Sequence, residues 1–329
     1  MKSLGYMLHN GHNSQILYYM HSLARYAVPK PLLRRRLPEL LAEIETRADR
    51  DYIRERADYY NKLSSPADIF GGGNADAPRL GEMTYRQRPR PTAYFFDAYE
   101  YTRFFDDSLR WRYLFGDVTH TPEAASIVKS RPITGDNANS VLLNLDKNRH
   151  FCFLHDGIDF ESKIDRLIFR AYISHKPHRI RFFEQWYGHQ MCDLGECDPH
   201  CRDYPEWHRP KISFYEQLKY KFILALEGND VATNLKWIMS SNSLAVMPRP
   251  HYETWFMEGR LIPDYHYVAI RDDYADLPER LQYYIDHPDR ARAIVENANR
   301  YVAQFADRHR EKLISLLTLD KYFRMTGQL

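Results

Sequence analysis

Residues 219–248 read KYKFILALEGNDVATNLKWIMSSNSLAVMP, and this stretch decides the fold. A short apolar run, KYKFILAL, ends in the turn chemistry of Glu227-Gly228-Asn229-Asp230; ATNLKWIMSS has helical spacing, and SLAVMP is a second apolar run. Beyond it HYETWFMEGRL reads as helix and DYHYVAI as strand. Strands that alternate with helices are joined by crossovers, so the sheet is parallel. The pattern closes with LPERLQYYIDH, whose Pro suits a first helical turn, and with Ile294, Ala298, Tyr301, Val302 and Phe305 on one face of a terminal helix.

Working upstream, RLIFRAYI is a further strand, and TAYFFD, WRYLFGD, ASIVKS and HFCFLHDG are expected as short buried strands between polar turns. The first 63 or so residues, rich in Leu, Arg, Glu and Tyr, read as helices with charged outer faces. Between these regions SSPADIFGGGNADAPRLG holds the Gly71-Gly72-Gly73 triplet, which is loop chemistry: a mobile loop over a binding site, or a linker. The economical architecture is two α/β halves, residues 1–164 and 165–329, with ligand held in the crevice at the carboxyl ends of the strands.

The chain has 329 residues, 44% hydrophobic and 14% aromatic, enough for a substantial core and against disorder. Its 46 basic and 44 acidic residues leave a formal charge of +2, so no global field favours nucleic acid or an anionic membrane. Anion binding must be local. Arg34-Arg35-Arg36 reads as a solvated helix end rather than a nucleic-acid patch. Apolar runs near the N-terminus are too broken for a secretory signal, and none reaches the roughly 18 residues that span a bilayer. The expectation is a cytoplasmic protein with at most peripheral membrane contact. Four cysteines are too few for a disulfide framework. Cys192, Cys197 and Cys201, with His189 and His200 in GHQMCDLGECDPHC, are candidate zinc ligands, although the spacing lacks paired C-x2-C; reduced thiols in a loop are the plainer reading.

Three segments carry candidate chemistry. In RLIFRAYISHKPHRIRFF a strand runs into a turn with Arg170, Ser174, His175, Lys176, His178, Arg179 and Arg181. Guanidinium groups offer paired donors to phosphate oxygens, so this turn suits a diphosphate, while a basic surface loop would look the same. After KYKFILAL, Gly228 permits close backbone approach and Asn229, Asp230, Thr233, Asn234 and Lys236 lead into a helix whose free amides would face an anion. Helix caps use the same residue types. In HYETWFMEGRLIPDYHYVAI, Glu253 is placed to accept from ribose hydroxyls, and Tyr252, Trp255, His266 or Tyr267 to stack on a base or fill the core. A carboxylate past a strand end can act as a general base; Asp117 in RYLFGDVTHTP and Asp156 in FCFLHDGID both follow expected strands, where a carboxylate serves equally as a turn cap. An Asp-x-Asp spacing of the kind that can hold a divalent metal occurs only at Asp49-Arg50-Asp51, inside a charged helical stretch, which disfavours a metal-bridged mechanism.

Four segments in order, FRAYISHKPHR, KYKFILALEGNDVATNLKW, SLAVMPRPHYETWF and LIPDYHYVAIRDDYADL, resemble glycosyltransferase family 90, in its bacterial lipopolysaccharide-modifying branch related to protein O-glucosyltransferases and capsule-associated proteins. The resemblance is strongest from Arg166 to about Phe305. It implies a GT-B fold, two Rossmann-like domains facing across a cleft. It also implies metal-independent, inverting transfer of a glucose-, xylose- or galactose-class sugar from a UDP-sugar to a lipopolysaccharide or other saccharide, with no cofactor. Phe169-Arg170-Ala171 stands at the family's W/F-R-G segment with Ala171 in place of Gly, and Arg179 at its diphosphate-binding basic loop. The family's Gly and Ser-x-Arg fall at Gly228, Ala232 and Asn234, so that hydroxyl and arginine are absent; Thr233 and Lys236 are candidates to replace them. Order along the chain points to Asp117 over Asp156 as catalytic base, with Lys129 and Arg131 helping to orient substrate. Readings from other classes are a non-catalytic nucleotide- or polysaccharide-binding protein and a nucleic-acid-binding protein, the latter opposed by the near-neutral charge.

Overall fold

The computed structural model describes residues 11–69 and 77–329; the Gly71-Gly72-Gly73 loop lies outside the described residues. In chain order the strands are β1 (Tyr113–Leu114), β2 (Ser126–Val128), β3 (Arg131–Pro132), β4 (Ser140–Leu142), β5 (Ile164–Ala171), β6 (Cys192–Glu196), β7 (Tyr220–Leu224), β8 (Leu244–Met247), β9 (Tyr252–Glu253) and β10 (Val268–Ala269). The chain divides into two compact units, each built from separate stretches of sequence.

The first unit comprises Arg149–Pro250 and Arg260–Gln304 with a short piece ending at Asn13. Its five strands pair in the order β10-β8-β7-β5-β6, all parallel. Counted within the unit this is the doubly wound order 2-1-3-4-5, and the chain reverses direction between β5 and β7. Leu167, Ile168 and Phe169 of β5, Phe222, Ile223 and Leu224 of β7, and Leu244 and Val246 of β8 are all buried. Unbroken apolar runs mark strands covered on both faces, which is why these segments do not alternate. The covering residues include Phe182 and Phe183 of the helix Pro177–Trp186, Leu277 and Leu281 of Leu277–Asp286, and Ile294 and Val295 of Pro288–Ala303. Full burial of a Phe side chain contributes roughly 2 kcal/mol, so the pair at 182 and 183 fastens its helix to the sheet.

The second unit comprises Ser14–Asn148, His251–Gly259 and Phe305–Leu329. It has a parallel sheet β1-β2-β4, an antiparallel pair β3-β9, and the helices Gln15–Ala24, Lys30–Thr46, Arg50–Tyr60, Thr92–Thr102 and Arg308–Met325. One buried cluster joins its separate stretches. Arg56 bonds Glu311 and the Tyr60 hydroxyl, Glu311 also accepts from the Trp255 indole at 2.6 Å, and the Tyr60 and Trp255 rings stack at 3.7 Å. Residues 251–259 and the last helix therefore return to this unit, whereas the sequence pattern suggests a single crossing near 165.

Four local readings differ from the structure. TAYFFD is not a strand but lies in the helix Thr92–Thr102, buried on nearly every side; a helix with no polar face has no helical periodicity to read. HYETWFMEGRL is not a helix: β9 pairs with β3, Thr254 bonds the Glu258 carboxylate, and Met257 at φ 57° breaks any helical run. HFCFLHDG forms no strand. ATNLKWIMSS shortens to the helix Leu235–Met239.

Candidate active site

In the first unit the reversal between β5 and β7 brings together the two turns singled out from the sequence. Ligands of open α/β sheets bind outside the carboxyl strand ends at such a point. The turn after β5 is held by Glu196, a fully buried carboxylate on β6 that accepts from the Ile173 amide at 2.9 Å and from the Ser174 amide and hydroxyl at 3.2 and 3.3 Å. His175 follows at φ 60°, a conformation a bulky residue rarely adopts without such anchoring. Arg179, from the first turn of the helix Pro177–Trp186, ties this turn to the next. Its Nη1 donates to the Tyr172 carbonyl at 2.9 Å, while Nη2 and Nε donate to the Leu226 and Glu227 carbonyls at 2.8 Å each. Burial pulls its pKa down to about 10, against the opposing field of Glu196, so it stays charged at neutral pH. The Glu227 carbonyl also lies 2.8 Å from His178 Nε2.

Gly228 sits directly over this guanidinium: a Cβ there would lie 3.6 Å from Arg179 Nη2. His175 and Asn229 are exposed, and Ser174, Lys176, Gly228 and Thr233 are half-buried, so they form the accessible rim. Farther along the same edge, past β8 and β10, a cavity of 440 Å³ is lined by Arg249, Ile270, Arg271, Asp272 and Asp273, a volume in the range of small-molecule sites. Arg181 donates to the Asp272 carbonyl at 2.7 Å and Tyr274 to the His178 carbonyl at 3.3 Å, which couples this cavity to the helix after β5. The turns after β5 and β7 and this cavity thus lie along one edge of the sheet, the cavity bringing two arginines together with two aspartates, of which Asp273 pairs with Arg271 at 2.6 Å.

Several expected ligands are spent on the fold. Arg170 donates to Asp193 at 2.7 Å and to the Asp193 carbonyl at 2.8 Å, its stem lying against Gly195, where a Cβ would come within 3.0 Å of it. Asn234 donates to the Leu224 carbonyl at 2.8 Å. Asp230 and Lys236 are buried. Glu253 lies in the second unit, buried, its carboxylate bound by Arg131 at 2.8 Å and by the Tyr59 hydroxyl. Arg131 in turn donates to the carbonyls of Tyr59, Tyr60 and Ser140, so this pair clamps β3 to β9. Trp255 and Tyr267 are core, Tyr252 belongs to the short β9 strand, and His266 Nδ1 accepts the Ile262 amide.

The two candidate bases differ sharply. The Asp156 side chain is 2% exposed and accepts from Lys163 at 2.7 Å, the Asn242 amide at 2.9 Å and the Ile158 amide at 3.0 Å, so it fastens a loop in the first unit. Asp117 lies in the second unit past the carboxyl end of β1, 24% exposed, paired with the buried Lys129 that follows β2. Gly116 before it has φ 123°, which a side chain would oppose. Ser130 pins the next residue by accepting from the Val118 amide at 3.1 Å and donating to its carbonyl at 3.0 Å.

The zinc candidates do not converge. Cys192 opens β6 and Cys197 lies just past its end, five residues on, an odd spacing that in an extended run sends side chains to opposite faces. Burial raises their thiols to about 12 and about 11, and no group of three or more His, Cys, Asp or Glu suited to a metal is present among the described residues. Asp49 stands just before the helix Arg50–Tyr60, its carboxylate held by Arg47 and Arg310, which accounts for one half of the Asp-x-Asp spacing. Among the described residues no helix is long and apolar enough to cross a membrane. Sequence reasoning missed Glu196 and the rim residues Arg249, Arg271, Asp272 and Asp273; the last three follow DYHYVAI directly, which was signal enough to mark a strand-end loop.

The chain is 45% identical over 273 residues, 83% of each chain, to the O-glucosyltransferase LpsA of Dichelobacter nodosus. It is 31% identical over 84 residues to the Protein O-glucosyltransferase 2 of Danio rerio, covering 25% of this chain and 16% of that one, and 26% identical over 112 residues to Protein O-glucosyltransferase 3 of Homo sapiens, covering 34% and 22%. Fold and relatives together define a glycosyltransferase. Residues 195–310, from the end of β6 into the last helix, match the profile of glycosyl transferase family 90. The chain belongs to that family.

Proposed function

We propose that this glycosyltransferase is a GT-B-type inverting enzyme that transfers glucose or a closely related sugar from a UDP-sugar to a hydroxyl of a saccharide such as lipopolysaccharide, without a metal. The observation that carries the reading is the paired turn at the β5–β7 reversal, where Gly228 leaves the space above a buried, charged Arg179 open. A diphosphate there meets a positive field that needs no reorganisation, together with the Ser174 and Thr233 hydroxyls, the Asn229 amide and Lys176 on the rim. The neighbouring cavity at Arg249 and Arg271 suits the nucleoside, and Arg170 acts through β6 as a support. Asp117, paired with Lys129, removes the acceptor proton as the hydroxyl attacks the anomeric carbon opposite the departing UDP. The O-glucosyltransferase activity named for the bacterial relative supports glucose as the sugar.

The test is turnover of UDP-glucose, UDP-xylose and UDP-galactose, with and without EDTA, on a lipopolysaccharide core acceptor. Transfer from UDP-glucose that survives EDTA is the expected result; activity only with added divalent metal, or only with a non-uridine donor, contradicts it.

A further inference from the structure

We propose that the second unit carries a docking surface for an anionic lipid bilayer, formed by the helix Gln15–Ala24, its continuation to Leu32, and the loop at residues 84–91. The helix is inside out. Ile16, Leu17, Met20 and Leu23, on one face by helical spacing, are 74%, 55%, 60% and 46% exposed, and Tyr19, Val28 and Leu32 extend the exposed apolar surface. Its inward face is the polar one. Ser22 is fully buried, the Tyr18 hydroxyl donates to Asp97 at 2.9 Å or to the Ala93 carbonyl at 3.0 Å, and Arg25 pairs with Glu100 at 2.7 Å. A helix facing only water is built the other way round, and a cluster of large exposed apolar side chains marks an interaction surface.

Charge selects the occupant. Residues 11–38 contain no Asp or Glu, and neither do residues 83–96. The Tyr26 ring meets the Tyr85 ring at 6.1 Å and so brings these two acid-free segments together. Around Tyr85, itself exposed, Arg86 and Arg90 are exposed and Arg88 lies over the ring at 4.2 Å; Arg35 and Arg36 are exposed on the helix Lys30–Thr46. Glu100, Asp106 and Asp107 pair with Arg25, Lys30 and Arg34, so the positive charge beside the apolar side chains and the tyrosine rim comes from Arg35, Arg36, Arg86, Arg88 and Arg90. Phosphate headgroups take the arginines and the acyl boundary takes Ile16, Met20 and Leu23, the arrangement of an interfacial helix. A second copy of the chain is disfavoured, because a two-fold contact would set this basic patch against itself.

The experiment is co-sedimentation of the full chain with vesicles of phosphatidylcholine alone and of equal parts phosphatidylcholine and phosphatidylglycerol. Binding to the anionic vesicles, weakened by high salt and lost in Ile16→Ser/Met20→Ser/Leu23→Ser and in Arg86→Glu/Arg90→Glu, is the expected result. All these side chains face solvent, so both variants retain the wild-type melting temperature, and a melt run alongside separates lost binding from lost folding. No pelleting of the wild type with anionic vesicles overturns the proposal, as does equal pelleting of wild type and the triple variant. A wild-type dimer that the triple variant converts to monomer, with no vesicle binding, reassigns the surface to a second copy.

Discussion

The Arg179 guanidinium donates to the Leu226 carbonyl at 2.8 Å, so a side chain from the helix after β5 fixes the turn after β7. With its bonds to Tyr172 and Glu227 it satisfies three carbonyls at once. Arg179→Lys keeps the charge but has no planar fork to reach all three, and each lost bond costs about 1 kcal/mol. The variant should lose about 2–3 kcal/mol in urea melts and bind UDP more weakly. Unchanged stability would show that the three bonds contribute nothing to the native fold.

Asp117→Asn should lower kcat by about 100- to 10,000-fold while leaving the affinity for UDP intact, because the residue sits in the other unit from the donor turns. Asp156→Asn should do the reverse. Removing one partner of its buried pair with Lys163 costs about 3 kcal/mol, with activity per folded molecule preserved. Full turnover by Asp117→Asn removes it as the base.

Glu253→Gln tests whether that carboxylate is structural. It leaves Arg131, fully buried, without its counter-charge, and a drop of about 3 kcal/mol in stability is expected with no change in UDP affinity. A weakened UDP affinity at unchanged stability would restore the ribose role.

His178 gives the turn a pH dependence. Burial holds its pKa below the ordinary 6.5, with the nearby charges of Arg179, Lys176 and Arg181 acting in the same direction against the bond to Glu227. The unfolded chain therefore binds the extra proton first. Stability from this group is complete above about pH 6.5 and is lost as pH falls through that value toward the lower native pKa. Relative to His178→Gln, the wild type should lose melting stability on acidification below pH 6.5 and show no relative change above it. A difference between the two that stays constant across this range contradicts the assignment.

The strands and turns of the first unit were legible because buried runs ending in Gly, Asn and Asp leave few alternatives; β5, β7 and β8 lie where RLIFRAYI, KYKFILAL and SLAVMP place them. What the residue types did not carry was direction. Arg170 follows core residue Phe169 on a strand, so it must point to the other face, where Asp193 takes it. Arg179 has the chemistry of a phosphate ligand, yet its position in the first helical turn aims it at carbonyls. Glu253 reads as a donor-side residue only if the chain runs on through one unit; the stacking of Trp255 on Tyr60, nearly two hundred positions away in sequence, draws it into the other. TAYFFD misled because a helix buried all round has lost its period.

On the function proposed above, the nucleotide-sugar donor binds at the carboxyl edge of the first unit's sheet. Hydrogen-exchange mass spectrometry with and without UDP tests it most directly. Slower exchange should be confined to peptides covering residues 172–179, 225–236 and 270–274, with the segment around residues 112–126 unaltered. Protection that falls in the second unit, or none at saturating UDP, contradicts the account.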